Sequence, residues 1–276
     1  MIYTTRDILF EKCITELSND ISTTQFIKAK DKFQSMKQLN KFIIPRIEVV
    51  VTQECTLRCV GCSHLIDMHD KHQHLPFGSL STALHNFLDR VDACICIGIT
   101  GGEPFLYPKL AEFITLCAEH PKAYFVDITT NATIIPAPEV ITSLRRENVF
   151  VKISQYSNSI KLDELKAVFE EQGIMHKIVK QEWIDYGNFD KRNKSIPNLI
   201  KSFLSCPEAS FCKTLYLNQF FHCPRAAFAS HLGVLDFDYD YLNVDKLDFN
   251  TVQLENFYSK KNHMFCNYCD KMSGYF

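Results

Sequence analysis

The sequence predicts an α/β fold built on a parallel sheet, open or curled into a barrel, followed by a small cysteine-rich unit. Three observations carry that expectation. Short apolar or β-branched runs alternate with stretches of helical periodicity at least five times between residues 46 and 179, and right-handed βα crossovers turn such alternation into a parallel sheet. One run, ACICIGIT (93–100), is almost wholly apolar, as in a strand covered on both faces. From about residue 206 the helical periodicity fades and cysteines recur, which marks a second unit at roughly 206–276.

The elements follow in order. Residues 1–45 are polar with scattered apolar positions and read as a helical extension. RIEVVV (46–51) is a short β-branched strand that ends at a cysteine stretch. Leu80, Leu84, Phe87, Leu88 and Val91 share one helix face. ACICIGIT then meets Gly101 and Gly102, and Leu110, Phe113, Ile114 and Cys117 repeat at helical spacing. AYFVDITT (123–130), FVKISQY (150–156) and MHKIV (175–179) are further strands, with helices at 138–146 and 161–173, the second ending at the C-cap Gly173. The alternating unit spans 46–205. In such folds reactive residues sit in loops after the strands' C-terminal ends.

Composition narrows the function. The 276 residues carry a formal net charge of −2, so no polybasic character points to nucleic acid or an anionic membrane. No apolar run approaches a membrane span, and MIYTTRDILFEKC lacks the apolar segment of a signal peptide. The expected location is cytoplasmic. There the 12 cysteines favour metal or redox chemistry over disulfides.

The stretch TQECTLRCVGCSHLID (52–67) spaces Cys55, Cys59 and Cys62 as C-x3-C-x2-C. Such a loop can wrap three thiolates around one face of an iron–sulfur cube, leaving one iron open. The alternative is a zinc site with His64 as fourth ligand. One strand later comes TGGEP (100–104), where two glycines permit close backbone approach and Glu103 can accept hydrogen bonds from an ammonium group.

Together, Cys55, Cys59, Cys62 and Gly101-Gly102-Glu103-Pro104 on an alternating chain resemble the radical S-adenosylmethionine (SAM) superfamily over about residues 45–190. The resemblance implies a partial (β/α)6 TIM-type barrel. It also implies a [4Fe-4S] cluster whose unique iron binds SAM, cleavage to a 5′-deoxyadenosyl radical, and a flavodoxin or ferredoxin as electron donor. It assigns Gly101, Gly102 and Glu103 to the SAM amino group, and Asn131 and Ser154 to its ribose or carboxylate. The alternative for those two is ordinary strand-end capping. Relatives often carry an aromatic residue before the third cysteine, where this chain has Gly61.

Cys206, Cys212, Cys223, Cys266 and Cys269 lie beyond the barrel. Their layout resembles a twitch or SPASM auxiliary-cluster domain, with Asn218 at a position usually held by glycine. It implies one auxiliary [4Fe-4S] cluster on Cys206, Cys223, Cys266 and Cys269. Cys212 is either a substitute for Cys206 or a free thiol able to give a hydrogen atom to a substrate radical. A zinc ribbon suits four thiolates equally well. Cys13, Cys94, Cys96 and Cys117 read as core thiols. Trp183, Asp185 and Tyr186 sit where a late loop faces the cavity, although Trp183 is as readily core. Arg225 can bind an anionic substrate or tune a cluster. The architecture resembles enzymes that oxidise aminocyclitols and related sugars, and the expected reaction is oxidation or epimerisation of a carbohydrate-type small molecule. The alternative is a peptide-modifying maturase or epimerase.

Overall fold

The computed structural model describes residues 41–180, 185–234 and 240–270, and part of 11–39. Cys13 and Trp183 lie outside the described residues. Five strands, β1 (Ile43–Thr52), β2 (Ala93–Gly101), β3 (Ala123–Thr130), β4 (Val149–Gln155) and β5 (His176–Lys180), run parallel and side by side. Helices α1 (Phe77–Leu88), α2 (Leu110–Ala118), α3 (Pro138–Leu144) and α4 (Leu162–Glu171) return the chain between them. The reason is visible in the burial. β1 and β2 are buried along their whole length, and Leu80, Leu84, Phe87, Phe113 and Phe169 close over the sheet from the apolar faces of the helices.

The sheet stays open, in the order β5-β4-β3-β2-β1-β6-β7-β8. Among the described residues no strand pairs with the outer edge of β5. Instead β6 (Thr214–Tyr216) pairs in parallel with β1 at Glu48–Thr214 and Val49–Leu215. β7 (Gln219–Phe221) and β8 (Tyr241–Asn243) extend it antiparallel. The cysteine-rich segment therefore continues the main sheet. In the β6–β7 turn, Leu217 takes the positive φ (52°) and Asn218 does not, contrary to what Asn218 at a glycine position suggests.

Among the described residues four more α-helices follow β5, the last three where the periodicity was expected to fade. They are α5 (Ile196–Ser205), α6 (Pro207–Phe211), α7 (Pro224–His231) and α8 (Thr251–Ser259). Their sequence signal is at the ends. Proline stands in the first turn of α5, α6 and α7, and Asn250 with Gln253 forms a capping box at the start of α8. Towards the strands' N-terminal ends, Ile14, Leu17 and Phe33 of the N-terminal segment pack on Ile43, Ala93, Ile95, Phe125 and Phe150.

One feature breaks the apolar rule. Arg46, Glu48 and Asp127 are 3%, 6% and 1% exposed. Arg46 Nη2 donates to both oxygens of Asp127 at 3.0 and 2.9 Å, and its Nη1 to Glu48 Oε1 at 2.7 Å. β2 lies between β1 and β3, so this contact must pass over it. It passes at Gly98, where an added Cβ would stand 2.2 Å from Arg46 Nη2 and 2.6 Å from Asp127 Oδ1.

Gly98→Ala should therefore break a buried ion pair and cost about 3–5 kcal/mol. Gly78→Ala, in α1 with nothing within 4 Å of the new Cβ, should change stability by less than about 1 kcal/mol, towards greater stability. Urea denaturation of the two variants measures both.

Candidate active site

The first cysteine loop leaves the C-terminal end of β1 and is fastened to the loop after β2. Gly102 N–H donates to Thr52 O at 2.9 Å, and Glu103 N–H to Glu54 O at 2.7 Å. This close crossing explains the glycines. Gly101 has φ 143°, and a Cβ there would meet Thr52 O at 2.2 Å; one on Gly102 would meet Glu54 O at 2.1 Å. The pair is needed for the two loops to touch, before any ligand is considered.

Glu103 is fully buried and does not line the neighbouring cavity. Its Oε1 accepts from Phe105 N–H at 3.1 Å and Thr130 Oγ1 at 2.9 Å, and its Oε2 from Asn131 N–H at 2.8 Å. Burial pushes its pKa up to about 7, against the pull of these three bonds. Its carboxylate is spent on bracing the loop after β3. That loop in turn presents Asn131, whose Nδ2 lies 3.6 Å from Cys55 Sγ and donates to Thr56 Oγ1 at 3.1 Å, while Oδ1 accepts from Thr133 N–H at 3.0 Å.

Cys55, Cys59, Cys62, Gly101, Gly102, Asn131 and Ser154 all border one cavity. Burial, and then neighbouring charges, push the thiols of Cys55 and Cys59 up to about 11, and raise that of Cys62. Cys59 is raised by Cys62 and Cys55, and Cys55 by Cys62, so ionising them together is favoured by a cation among them. Tyr156 borders the same cavity close to all three cysteines. It supplies an aromatic ring from β4's end, on a chain with Gly61 beside Cys62. His64 also borders the cavity, its ring centroid 5.0 Å from that of Phe228. His74 is bound to Thr52 Oγ1 at 2.8 Å, and His69 packs on Phe228. Asp185 is exposed and accepts from Gly187 N–H at 2.8 Å, away from the cavity.

Cys206, Cys223, Cys266 and Cys269 border a second cavity of about 480 Å³, far more than one ion fills. The electrostatics place them together. Cys223 is raised by burial and by the other three, Cys266 by burial, Cys206 and Cys269. Burial with Glu208 and Cys269 pushes Cys206 up to about 12. Among the described residues no three His, Cys, Asp or Glu side chains converge to hold a single metal ion. Each thiol set borders a single cavity. Cys212 borders the first cavity and not the second. Cys94, Cys96 and Cys117 are fully buried core thiols.

Another part of the first cavity is a charged wall that sequence reasoning missed: Arg46 and Glu48 of β1, Lys152 of β4, and Glu208. Tyr186, expected from the sequence to face the cavity, borders it beside them. Glu48 Oε2 is buried without a hydrogen-bond partner among the described residues. Tyr186 Oη donates to Glu208 Oε1 at 3.0 Å. Burial and then the Glu48 carboxylate push Glu208 up to about 7. Tyr186 and Glu208 border both cavities and form the partition between them. The signal was there: Arg46, Glu48 and Asp127 are charged residues inside runs otherwise fit for a buried strand.

Asn131→Asp replaces a donor towards Cys55 and Thr56 with an acceptor. Iron loss from the anaerobically loaded protein to a chelator should speed up roughly 10–100-fold, the usual cost of losing a partner that orients a metal ligand.

The sequence of residues 49–169 matches the model of the Radical SAM superfamily. No curated protein matches the chain at significant similarity. Among solved structures, anSMEcpe with bound AdoMet is 14% identical, covering 80% of this chain and 82% of that one, with a TM-score of 0.54. BtrN in complex with AdoMet and 2-DOIA is 13% identical, covering 83% and 94%, with a TM-score of 0.52. SuiB of Streptococcus suis is 20% identical over 57% of this chain, with a TM-score of 0.41, and this chain spans 39% of its length. The first two likenesses concern the fold. A domain of this superfamily implies an iron–sulfur cluster and SAM, and the donor set around the first cavity fits them. The matched segment, residues 49–169, runs from within β1 to within α4 and so takes in the cysteine loop and the Gly-Gly loop.

Proposed function

We propose that the chain is a radical SAM enzyme that oxidises or epimerises a hydroxylated small molecule of carbohydrate or aminocyclitol type. The observation that carries this reading is the charged wall of the first cavity. Arg46 and Glu48 of β1, Lys152 of β4 and Glu208 of α6 come from three different elements and border one cavity. Fixed donors and acceptors at several angles suit a ligand with hydroxyl or amino groups on every side.

On this reading Cys55, Cys59 and Cys62 hold a [4Fe-4S] cluster, and Gly101, Gly102, Asn131, Ser154 and Tyr156 surround SAM. With both bound, the site supplies a 5′-deoxyadenosyl radical able to remove a hydrogen atom from carbon. Glu48 and Glu208 orient the substrate's polar groups against the charged wall. Glu208, poised near neutral pH, accepts a proton from a hydroxyl group undergoing oxidation. Cys206, Cys223, Cys266 and Cys269 hold an auxiliary cluster, an acceptor for the electron that oxidation releases. Epimerisation instead needs a hydrogen atom returned to carbon. Burial and the carboxylates of Glu48 and Glu208 raise the pKa of Cys212 well above the ordinary thiol value, so the thiol keeps the hydrogen it would donate. An external flavodoxin or ferredoxin fits the need for reducing electrons. No helix among the described residues is long and apolar enough to cross a membrane. Residues 46–205 act as the radical-generating core and 206–276 as the auxiliary-cluster unit.

The anaerobically loaded protein, given SAM and dithionite, should release 5′-deoxyadenosine, and Cys59→Ala should release none. In D2O, the polar small-molecule fraction of a cell extract should raise that release, while the peptide fraction should not. Stimulation by the peptide fraction alone would overturn the small-molecule assignment in favour of peptide modification. Deuterium gain without net oxidation, lost in Cys212→Ala with 5′-deoxyadenosine release retained, identifies epimerisation.

A further inference from the structure

Two cations, Arg225 and Lys194, border the second cavity beside Cys266 and Cys269, with the carboxylates of Asp240 and Asp270 on the same lining and Asp270 paired to Arg192. Arg225, 5% exposed, borders the cavity together with Cys266 and Cys269. Its Nη2 donates to Gly187 O, and its guanidinium carbon lies 4.5 Å from the Phe189 ring centroid and 5.6 Å from that of Tyr186. Lys194 Nζ donates to Cys266 O at 2.9 Å, Cys269 O at 2.6 Å and Ser202 Oγ at 3.2 Å. Arg192 Nε donates to Asp270 Oδ1 at 2.9 Å. Arg225, Lys194 and Arg192 are the charges that act on Cys269. Cys206 is followed by the buried carboxyl of Glu208, which faces the first cavity as well.

The cations are held in place by one loop. Asp270 N–H donates to Tyr186 O at 2.9 Å, Arg192 N–H to Asn267 O at 2.8 Å, and Lys194 N–H to Asn267 Oδ1 at 2.7 Å. The segment 186–194 thus clamps the C-x2-C turn and places Lys194 on the cavity lining, while Arg192 is paired with Asp270. Arg225 Nε is buried with no hydrogen-bond partner among the described residues, so its charge is not spent on a carboxylate. Lys194 likewise points at carbonyls and a hydroxyl. A cluster on four thiolates gains negative charge when reduced, and fixed cations and N–H donors at its sulfurs favour that state.

We infer that Arg225 and Lys194 are positioning residues that raise the reduction potential of the group held by Cys206, Cys223, Cys266 and Cys269, making it an electron acceptor. The inference rests on the reading of those four cysteines as iron–sulfur ligands. Its consequence is directional: an electron released beside Glu208 and Tyr186 in the first cavity moves towards the second, where Arg225 and Lys194 stand.

The test is a redox titration of the full, anaerobically loaded chain followed by electron paramagnetic resonance, with added SAM marking the signal of the first cluster. In Arg225→Met the second signal should need a lower potential, by at least a tenfold change in the reduced-to-oxidised ratio, about 59 mV for one electron. Arg225→Lys should recover most of the shift, and Lys194→Met should show a smaller fall in the same direction. An unmoved midpoint in Arg225→Met and Lys194→Met, with iron content intact, overturns the inference. If Arg225→Met loses its iron, Lys194→Met, which removes no contact to sulfur, decides between the same two outcomes. A wild-type protein holding zinc, or no second signal, overturns the four-cysteine cluster reading and the inference with it.

Discussion

Everything around the first cavity depends on a charge held where charge is costly. Burying an ion costs several kcal/mol after relaxation, and a pair regains this only with good geometry. Arg46 has that geometry: a bidentate bond to Asp127 and a second arm to Glu48. Burial disfavours its charge, yet the two carboxylates hold it protonated. Well-packed apolar side chains would stabilise a sheet as well or better. On the reading proposed above, the trio exists to hold Glu48. One oxygen of that carboxylate is anchored and the other faces the cavity.

The second organising fact is the meeting of two loops. The cysteine loop after β1 and the glycine loop after β2 share backbone hydrogen bonds at Thr52 and Glu54. The next loop joins through Glu103 and Asn131. Three strand ends are thereby locked into one rim, with each polar group answering another. The rim is rigid before a ligand arrives, which suits a site that must aim a reactive radical.

Much of this was legible in the sequence. The five parallel strands carry short apolar runs, and their helices repeat at 3.6 residues, so period alone located them. The cysteine spacing and the Gly-Gly pair marked the rim. Less legible was what the glycines do. A sequence shows that Gly101 and Gly102 permit close approach, but not that the approaching atom is Thr52 O or Glu54 O. Glu103 was legible as an acceptor; its donors, Phe105, Thr130 and Asn131, depend on the third strand lying alongside. The charged wall was hidden for a different reason. Arg46 and Glu48 share β1, but Lys152 and Glu208 come from segments far from it in the chain, and only the fold brings them to one space. Tyr156 was passed over because attention fell on the position beside Cys62, while the ring arrives from β4. Short α7 and α8 were missed because their signal lies in their caps and not in a periodic face.

The joining of β6 to β1 alters what can be separated. β1 carries Arg46 and Glu48 on its length and the cysteine loop at its end, and it is flanked on one side by β2 and on the other by β6. Glu48 N–H itself donates to Lys213 O at 2.7 Å, two residues before Leu215 of β6. A chain cut before residue 206 would expose the backbone of its most important strand as a sticky, unpaired edge. The cysteine-rich segment is thus no detachable accessory that could be shuffled onto another barrel or trimmed away in the laboratory. It is the lateral support of the strand it serves, and the two would be inherited, and lost, together.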